Sequence, residues 1–256
     1  MASIFVTGSS DGIGRETAAT LVNMGHRVVL HARNKARAAD AAQAVPGAVA
    51  VLVGDLASLE ETKALAEAAR GRGPYDVVVH NAGIGGGQAS REVTADGLER
   101  IFQVNALAPY VLTALMEKPS RLVYLTSGLQ ENGHLDMTDL QYERRPWDGM
   151  QVYSDSKLCD VVLALAVARR WPGTICNAVD PGWIKTRMGG PQAPDPLHLG
   201  AETQVWLATS DEAAATVTGR YFKRRHELEP NPQATDVALQ EAFIGVCRSL
   251  SGVELP

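Results

Sequence analysis

The chain has 256 residues, 45% of them hydrophobic, and a net charge of −5 from 24 basic and 29 acidic side chains. That length suits one large α/β domain with a full core, and an acidic balance without a basic stripe excludes a nucleic-acid surface. The longest apolar run, Val161 to Ala168, is far too short to cross a bilayer, and a first strand at Ser3 leaves no room for a signal peptide, so a cytoplasmic protein without a membrane anchor is expected.

In chain order, Ser3-Ile4-Phe5-Val6 reads as a short buried strand. The turn Thr7-Gly8-Ser9-Ser10-Asp11-Gly12-Ile13-Gly14 then leads into a helix from Arg15 to Met24, with Ala18, Leu21 and Val22 on its repeat. Such a strand-to-helix turn aims backbone N–H groups and the positive end of a helix dipole at an anion. Glycine lets a phosphate approach closely, so a pyrophosphate is its natural guest. The spacing Gly8-x3-Gly12-x-Gly14 differs from the common G-x-G-x-x-G fingerprint, and on this stretch alone an ordinary loop stands as the alternative.

Arg27 to His31 reads as a second strand, Lys35 to Ala44 as a helix, and Ala48 to Val53 as a third strand. Ser58, with Glu61 three residues on, has the pattern of a capping box for a helix to about Arg70. Asp76 to His80 is a fourth strand, Ala95 to Met116 a long helix and Arg121 to Thr126 a fifth strand. Leu129 to Asp148 lacks a sustained period and is read as an excursion from the core. Met150 to Trp171 is a strongly apolar helix, Thr174 to Val179 a sixth strand, and Pro181 to Leu199 a mobile loop, with its substrate-facing part around 183–200. His198 to Thr209 is a helix, Gly219 to Phe222 a last strand, and Pro232 to Leu250 a closing helix. The alternation predicts a parallel sheet of about seven strands with helices on both faces. Lys223-Arg224-Arg225 is read as a solvated face, and Cys159, Cys176 and Cys247, without metal-ligand spacing, as buried thiols.

The chemistry concentrates at Tyr153 and Lys157, four apart on a predicted helix and therefore on one face. A phenol ordinarily ionises near pH ~10, but a nearby ammonium favours the phenolate and makes a usable general acid/base. Tyr-x3-Lys alone is common; the glycine turn at the start of an alternating α/β chain gives it meaning.

With these motifs the sequence resembles the short-chain dehydrogenase/reductase family over nearly its whole length. The resemblance implies a single Rossmann-type, doubly wound domain over residues 1–256. It makes Thr7-Gly8-x3-Gly12-Ile13-Gly14 the cofactor turn, with Ser9 and Ser10 inside it, and Tyr153-x3-Lys157 the catalytic pair. Asp55-Leu56 is similar to the adenine-contacting pair, and Asn81-Ala82-Gly83 to the Asn-Ala-Gly segment, with His80 where asparagine is more usual. Asn105 matches the asparagine that supports a proton-relay water, and Ser127 the serine that binds the substrate oxygen. Pro181, Gly182 and Thr186 resemble the segment at the nicotinamide carboxamide. The long Ser127 to Tyr153 separation, Asp139-Leu140-Gln141 and Gly219-x-Tyr221-Phe222 are similar to the retinol-dehydrogenase-like branch, which often carries a membrane-anchoring N-terminus.

The second strand ends in Arg33-Asn34, with Arg37 one turn on, where an acid would select NAD and repel a ribose phosphate. NADP(H) is therefore the expected cofactor, the alternative being a plain surface arginine. His31, His134 and His198 show no catalytic or metal pattern. Trp183 and Met188 read equally as closing over an apolar substrate or packing on the sheet. The expected function is hydride exchange between NADP(H) and a carbonyl or alcohol of a lipophilic small molecule. From a different class, the alternative is a catalytically silent dinucleotide sensor or partner-binding module. The apolar stretches Leu107 to Met116 and Leu158 to Ala168 suggest a homo-oligomer, with a monomer as the competing reading.

Overall fold

The computed structural model describes residues 1–256. Its strands are β1 (Ser3–Val6), β2 (Arg27–Ala32), β3 (Ala50–Val53), β4 (Val77–His80), β5 (Arg121–Leu125), β6 (Ile175–Asp180), β7 (Arg220–Lys223) and β8 (His226–Leu228). All eight lie in one sheet of order β3-β2-β1-β4-β5-β6-β7-β8. The first seven are parallel and read as continuous apolar runs because helices cover both faces.

Alternation along the strands sorts the core into two layers. Ile4, Val6, Val28, Leu30, Val77 and Val79 face one way. There they meet α1 (Gly12–Asn23), α2 (Lys35–Ala44) and the helix Leu197–Thr209. Phe5, Val29, Val78, Leu122 and Tyr124 face the other, against α3 (Leu59–Arg70), α4 (Arg100–Phe102), α5 (Ala108–Leu115) and α6 (Gly149–Arg170). The helix Leu197–Thr209 is α7; α8 (Pro232–Thr235) and α9 (Val237–Ser251) close the chain over α6.

The chain departs from the sequence expectation in four places, each decided by contacts that local pattern does not carry. First, an eighth strand turns back antiparallel on β7 through Arg224 and Arg225, whose φ of 48° and 61° a two-residue hairpin turn requires. The basic run is therefore not merely solvated: Lys223, Arg224 and Arg225 pair with Asp180 (2.8 Å), Asp195 (2.8 Å) and Glu202 (3.0 Å), tying the hairpin to β6, the loop after it and α7. Second, the helix expected from Ala95 begins only at Arg100, because Val93 and Glu99 pair as a bridge and the buried Glu99 carboxylate caps Ile101 and Phe102. Third, the closing helix breaks at Asp236, whose side chain caps α9 by accepting from Ala238 and Leu239.

Fourth, the stretch 129–148 does not leave the core. Leu135, Leu140 and Tyr142 are buried in it. Asp155 of α6 accepts from the Tyr142 hydroxyl (2.7 Å) and the His134 N–H (2.8 Å), with Arg145 at 3.5 Å and stacked on the Tyr142 ring.

Candidate active site

The chain leaves β1 toward β2 and β3 and returns to β4 on the other side, which opens a crevice above the carboxyl ends of β1 and β4. The segments that follow β1, β4, β5 and β6 bring the residues read from the sequence to this edge.

The glycine turn is pressed onto the segment after β4. Gly8 has φ +62°, and a Cβ on it would lie 2.7 Å from the Ala82 Cα; at Gly14 a Cβ would overlap the Asn81 amide and the Gly8 carbonyl. The Thr7 hydroxyl oxygen accepts from the Asn81 and Ala82 N–H groups at 3.0 Å each, and the Asn81 amide donates to the carbonyls of Thr7 (2.9 Å) and Gly8 (3.2 Å). The Ser9 hydroxyl donates to the Val6 carbonyl and accepts from the His31 N–H, each at 2.9 Å. The buried side chains of Thr7 and Ser9 thus shape the turn from beneath.

His31, featureless in the sequence, clamps the same turn. Its Nδ1 accepts from the Gly8 N–H (2.9 Å), so Nε2 carries the proton donated to the Gly54 carbonyl (2.8 Å). Burial holds its pKa below the ordinary histidine range and keeps the ring neutral for this role.

Over the turn arches the loop after β6, with the Thr186 methyl 3.4 Å from where a Gly12 Cβ would be. Gly182, at φ +92°, donates its N–H to Asp180 just after Pro181. Asp11 caps α1 and lies 3.2 Å from Arg37 and 3.6 Å from Arg187, a loop residue that the sequence reading did not single out. Burial works against the Asp11 charge, but the Gly12 N–H and the two arginines outweigh it and hold the carboxyl below its usual range.

Arg33 is exposed at the end of β2, while Asn34 caps α2 by accepting from the Arg37 N–H. Asp55 accepts from the Ala57 N–H, Leu56 is buried, and Ile13 packs under Gly200 of α7. The Ser10 carbonyl receives Arg37.

On the other side of the crevice, Asn105 sits in a π-turn, Gln103–Leu107, between α4 and α5. Its carboxamide accepts from the Ile84 N–H (2.8 Å) and donates to the Ile84 carbonyl and to Ser156 of α6, both at 3.0 Å. A Cβ on Gly83 would lie 3.3 Å from both the Asn105 Oδ1 and the Lys157 Nζ, so the three meet. Ser127 follows β5; its hydroxyl oxygen accepts from the Leu129 N–H (3.2 Å), leaving its proton for another acceptor. The neighbouring Thr126 hydroxyl donates to the Lys157 carbonyl (2.6 Å) and joins this strand end to α6.

Tyr153 and Lys157 share a face of α6, with the Lys157 Nζ 5.9 Å from the Tyr153 ring centroid. The ammonium donates to the Leu125 carbonyl (3.1 Å) and to Asp160 (2.8 Å). Burial disfavours its charge, but Asp160 and Tyr153 outweigh that and raise its pKa.

A Cβ on Gly86 would fall 2.8 Å from the Tyr153 Cβ and 3.1 Å from the Met150 Sδ, and one on Gly85 3.0 Å from Met188. The wall beside Tyr153 is therefore glycine and thioether. Met188 and Trp183 are 55% and 57% exposed, so neither packs on the sheet, and Met188 lies against Gly85. Met150, in the first turn of α6, was missed because nothing in its local sequence separates it from an ordinary helix residue.

His80, beneath Asn81, is fully buried, stacked on Tyr124 at 4.7 Å and in contact with the Thr113 hydroxyl at 3.0 Å. Burial pushes its pKa down to about 3. The unfolded chain protonates it near pH ~6.5. Its contribution is therefore fully present above that pH and is lost, by about 1.4 kcal/mol per unit, as pH falls toward its folded value. His80→Asn is expected to flatten the pH dependence of urea-unfolding stability in that window by one proton's worth; equal slopes for the two proteins would contradict it.

A doubly wound sheet with a glycine-lined crevice and a Tyr-Lys face beside it defines a dinucleotide-binding α/β protein. Residues 2–196 match the model of the short chain dehydrogenases, and the chain belongs to that family of oxidoreductases. It is 45% identical, across 100% of its length and 99% of the relative's, to an uncharacterised oxidoreductase of Emericella nidulans. It is 31% identical to human retinol dehydrogenase 14, over 98% of this chain and 86% of that one, so the retinol-dehydrogenase-like relatives read from the sequence are found. A blue fluorescent protein from a metagenomic library, solved in complex with NADPH, matches with a TM-score of 0.69 and 26% identity over 87% of this chain and 95% of that one. No helix of the chain is long and apolar enough to cross a membrane.

Proposed function

We propose that the protein is an NADP(H)-dependent oxidoreductase acting on a carbonyl, or the corresponding alcohol, of a lipophilic small molecule. The observation that carries this reading is Tyr153 beside the buried Lys157 ammonium, on a wall of Gly86 and Met150 next to the glycine turn. The crevice fits a dinucleotide: at Gly8 and Gly14 no side chain is sterically possible, and the N-terminus of α1 points at the turn. Gly12, Ile13, Ser10 and Gly14 would line the pyrophosphate; Asp55 and Leu56 the adenine; Asn81, Ala82, Gly83, Pro181, Gly182 and Thr186 the nicotinamide side. A nicotinamide bound there supplies the hydride.

In the reducing direction the Ser127 hydroxyl donates a hydrogen bond to the substrate oxygen, and Tyr153 donates its proton to that oxygen as it gains charge. Lys157 holds the ribose and favours the phenolate left behind. Asn105 fixes the Ile84 segment against α6 and orders the water that returns the proton. Arg33, exposed and unpaired, would meet the ribose phosphate. The NADPH in the blue fluorescent protein supports the same cofactor, and three unpaired buried thiols fit a reducing cytoplasm.

A panel of ketones, aldehydes and alcohols with both cofactors, followed at the nicotinamide absorbance, tests this reading. NADPH should be preferred, and apolar ketones should exceed small keto acids in kcat/KM. Arg33→Asp should cost about 1.5–3 kcal/mol of NADPH binding, the scale of a charged hydrogen bond, and reverse the preference. A wild type that favours NADH, or an unchanged ratio in the variant, would refute the assignment of Arg33.

The helices that suggested an oligomer are covered within the chain. Residues of α5 and α6 pack under Phe243, Ile244, Cys247, Val253 and Leu255, with the Tyr110 hydroxyl on the Val253 carbonyl (2.8 Å) and the Trp171 indole on the Pro256 carbonyl (2.5 Å). We therefore favour the monomer. Light scattering at micromolar protein should return one chain's mass, and a stable dimer would count against this.

A further inference from the structure

Lys157 has a second partner on its own helix. Tyr153, Lys157 and Asp160 stand at i, i+4 and i+7, so all three lie on one face of α6. Asp160 is 3% exposed and Lys157 5%, and their charged atoms are 2.8 Å apart. A buried carboxylate beside a buried ammonium removes much of the field that the ammonium exerts elsewhere, because little solvent screens either charge.

We propose that Asp160 is a positioning residue that sets how much of the Lys157 charge acts on Tyr153, and so the pH range over which Tyr153 can serve as proton donor. This rests on the reductase reading above. The geometry supports it in two ways. Asp160 and the Leu125 carbonyl take two of the three ammonium protons, fixing the Nζ under Gly83 and Asn105 and leaving one donor for the crevice. Asp160 also lies about 10 Å, two helical turns, from Tyr153 along the axis, so its charge opposes a phenolate there with little intervening water.

The thiol, phenol and imidazole around the pair are neutral. Cys159 of α6 and Tyr124 of β5 are raised well above their usual ranges by burial, and His80 of β4, stacked on Tyr124, is uncharged. Asp155, elsewhere on α6, is held by Tyr142, Gln151 and Arg145. Burial pushes Asp160 itself up to about 6, against the pull of Lys157, so of the two it is the group that takes up a proton as pH falls.

The test is Asp160→Asn, close in shape and still able to accept from Lys157. With the carboxylate gone, the ammonium acts on Tyr153 uncompensated. The basic limb of the kcat/KM profile for ketone reduction should then move to lower pH by about one unit, the size of one charge at that distance in a protein interior. In cofactor-free protein, the tyrosinate absorbance step that Tyr153→Phe abolishes should move the same way. Asp160→Glu, which restores the charge, should return both to the wild-type position. If Asp160→Asn is too unstable to assay, Asp160→Ser takes its place with the same expectation. A folded, active Asp160→Asn enzyme with an unmoved limb and an unmoved absorbance step would overturn the proposal and leave Asp160 a structural counterion only. A wild type that reduces no carbonyl would instead count against the reductase reading, while the absorbance titration would still report on Asp160.

Discussion

Tyr153→Phe is expected to bind NADPH as the wild type does and to lose turnover by about 10²–10⁴-fold, or further, the range of a lost general acid. The variant deletes one oxygen and keeps the ring, whose near neighbours are the glycine at position 86 and the Met150 thioether. Nothing in that wall depends on the hydroxyl, so thermal stability should be unchanged, and the crevice around Gly8 and Gly14 is untouched. Ser127 would still polarise the substrate oxygen, which sets a floor under the residual rate. Single-turnover kinetics with saturating NADPH separate the two effects. Near wild-type turnover on a substrate the parent reduces well would refute the proton-donor assignment and leave the Tyr-Lys pair a structural feature of α6.

Lys157→Met should show three losses at once. Cofactor binding weakens through the missing ribose contact, and the basic limb of the pH–rate profile moves upward, opposite in sign to Asp160→Asn, because a positive charge near Tyr153 has been removed. The third loss is of stability: Asp160 is left buried without its partner, at a cost on the order of 3–5 kcal/mol for a broken buried pair. The sign with pH follows from a folded carboxyl that holds its proton more tightly than the unfolded one. The wild-type carboxyl itself titrates near 6, so the deficit is small below that pH, where Asp160 is protonated in both folded proteins, and grows as pH rises above it. Urea melts across that range measure it, and Lys157→Met/Asp160→Asn should recover a large part of the loss at pH 7. A single variant as stable as the wild type at pH 7 would mean that solvent reaches Asp160 once the lysine is gone.

The elements and the reacting pair were legible because their signals are local. Short apolar runs separated by helical periods are fixed by backbone geometry, and Tyr153 and Lys157 share a helix face at a spacing that any α-helix places together. Asn105 and Ser127 were reached only through family resemblance. Asn105 meets Ser156 across 51 residues of chain, and no local pattern announces that contact. Met150, Arg187 and Asp160 escaped for a related reason: each is an ordinary residue in its own stretch and gains its role from what the fold sets beside it. His31 is the clearest case, since its two ring nitrogens join the glycine turn to Gly54 of the segment after β3.

The sequence by itself determined the order of the seven parallel strands and of the main helices between them, the glycine turn and the Tyr-Lys face, because each depends on residues within a few turns of one another. Tertiary structure alone decided which charges are paired and which apolar surfaces are free. The excess of Val, Leu and Ala in α5 and α6 is the same whether a second chain or α9 covers it, and only the folded chain puts Phe243, Ile244 and Cys247 there. The basic run after β7 likewise became a hairpin turn tied to Asp180, Asp195 and Glu202 because those acids come from β6, the loop beyond it and α7. An ion pair depends on distance in space, which residue order does not encode beyond a single helix or hairpin.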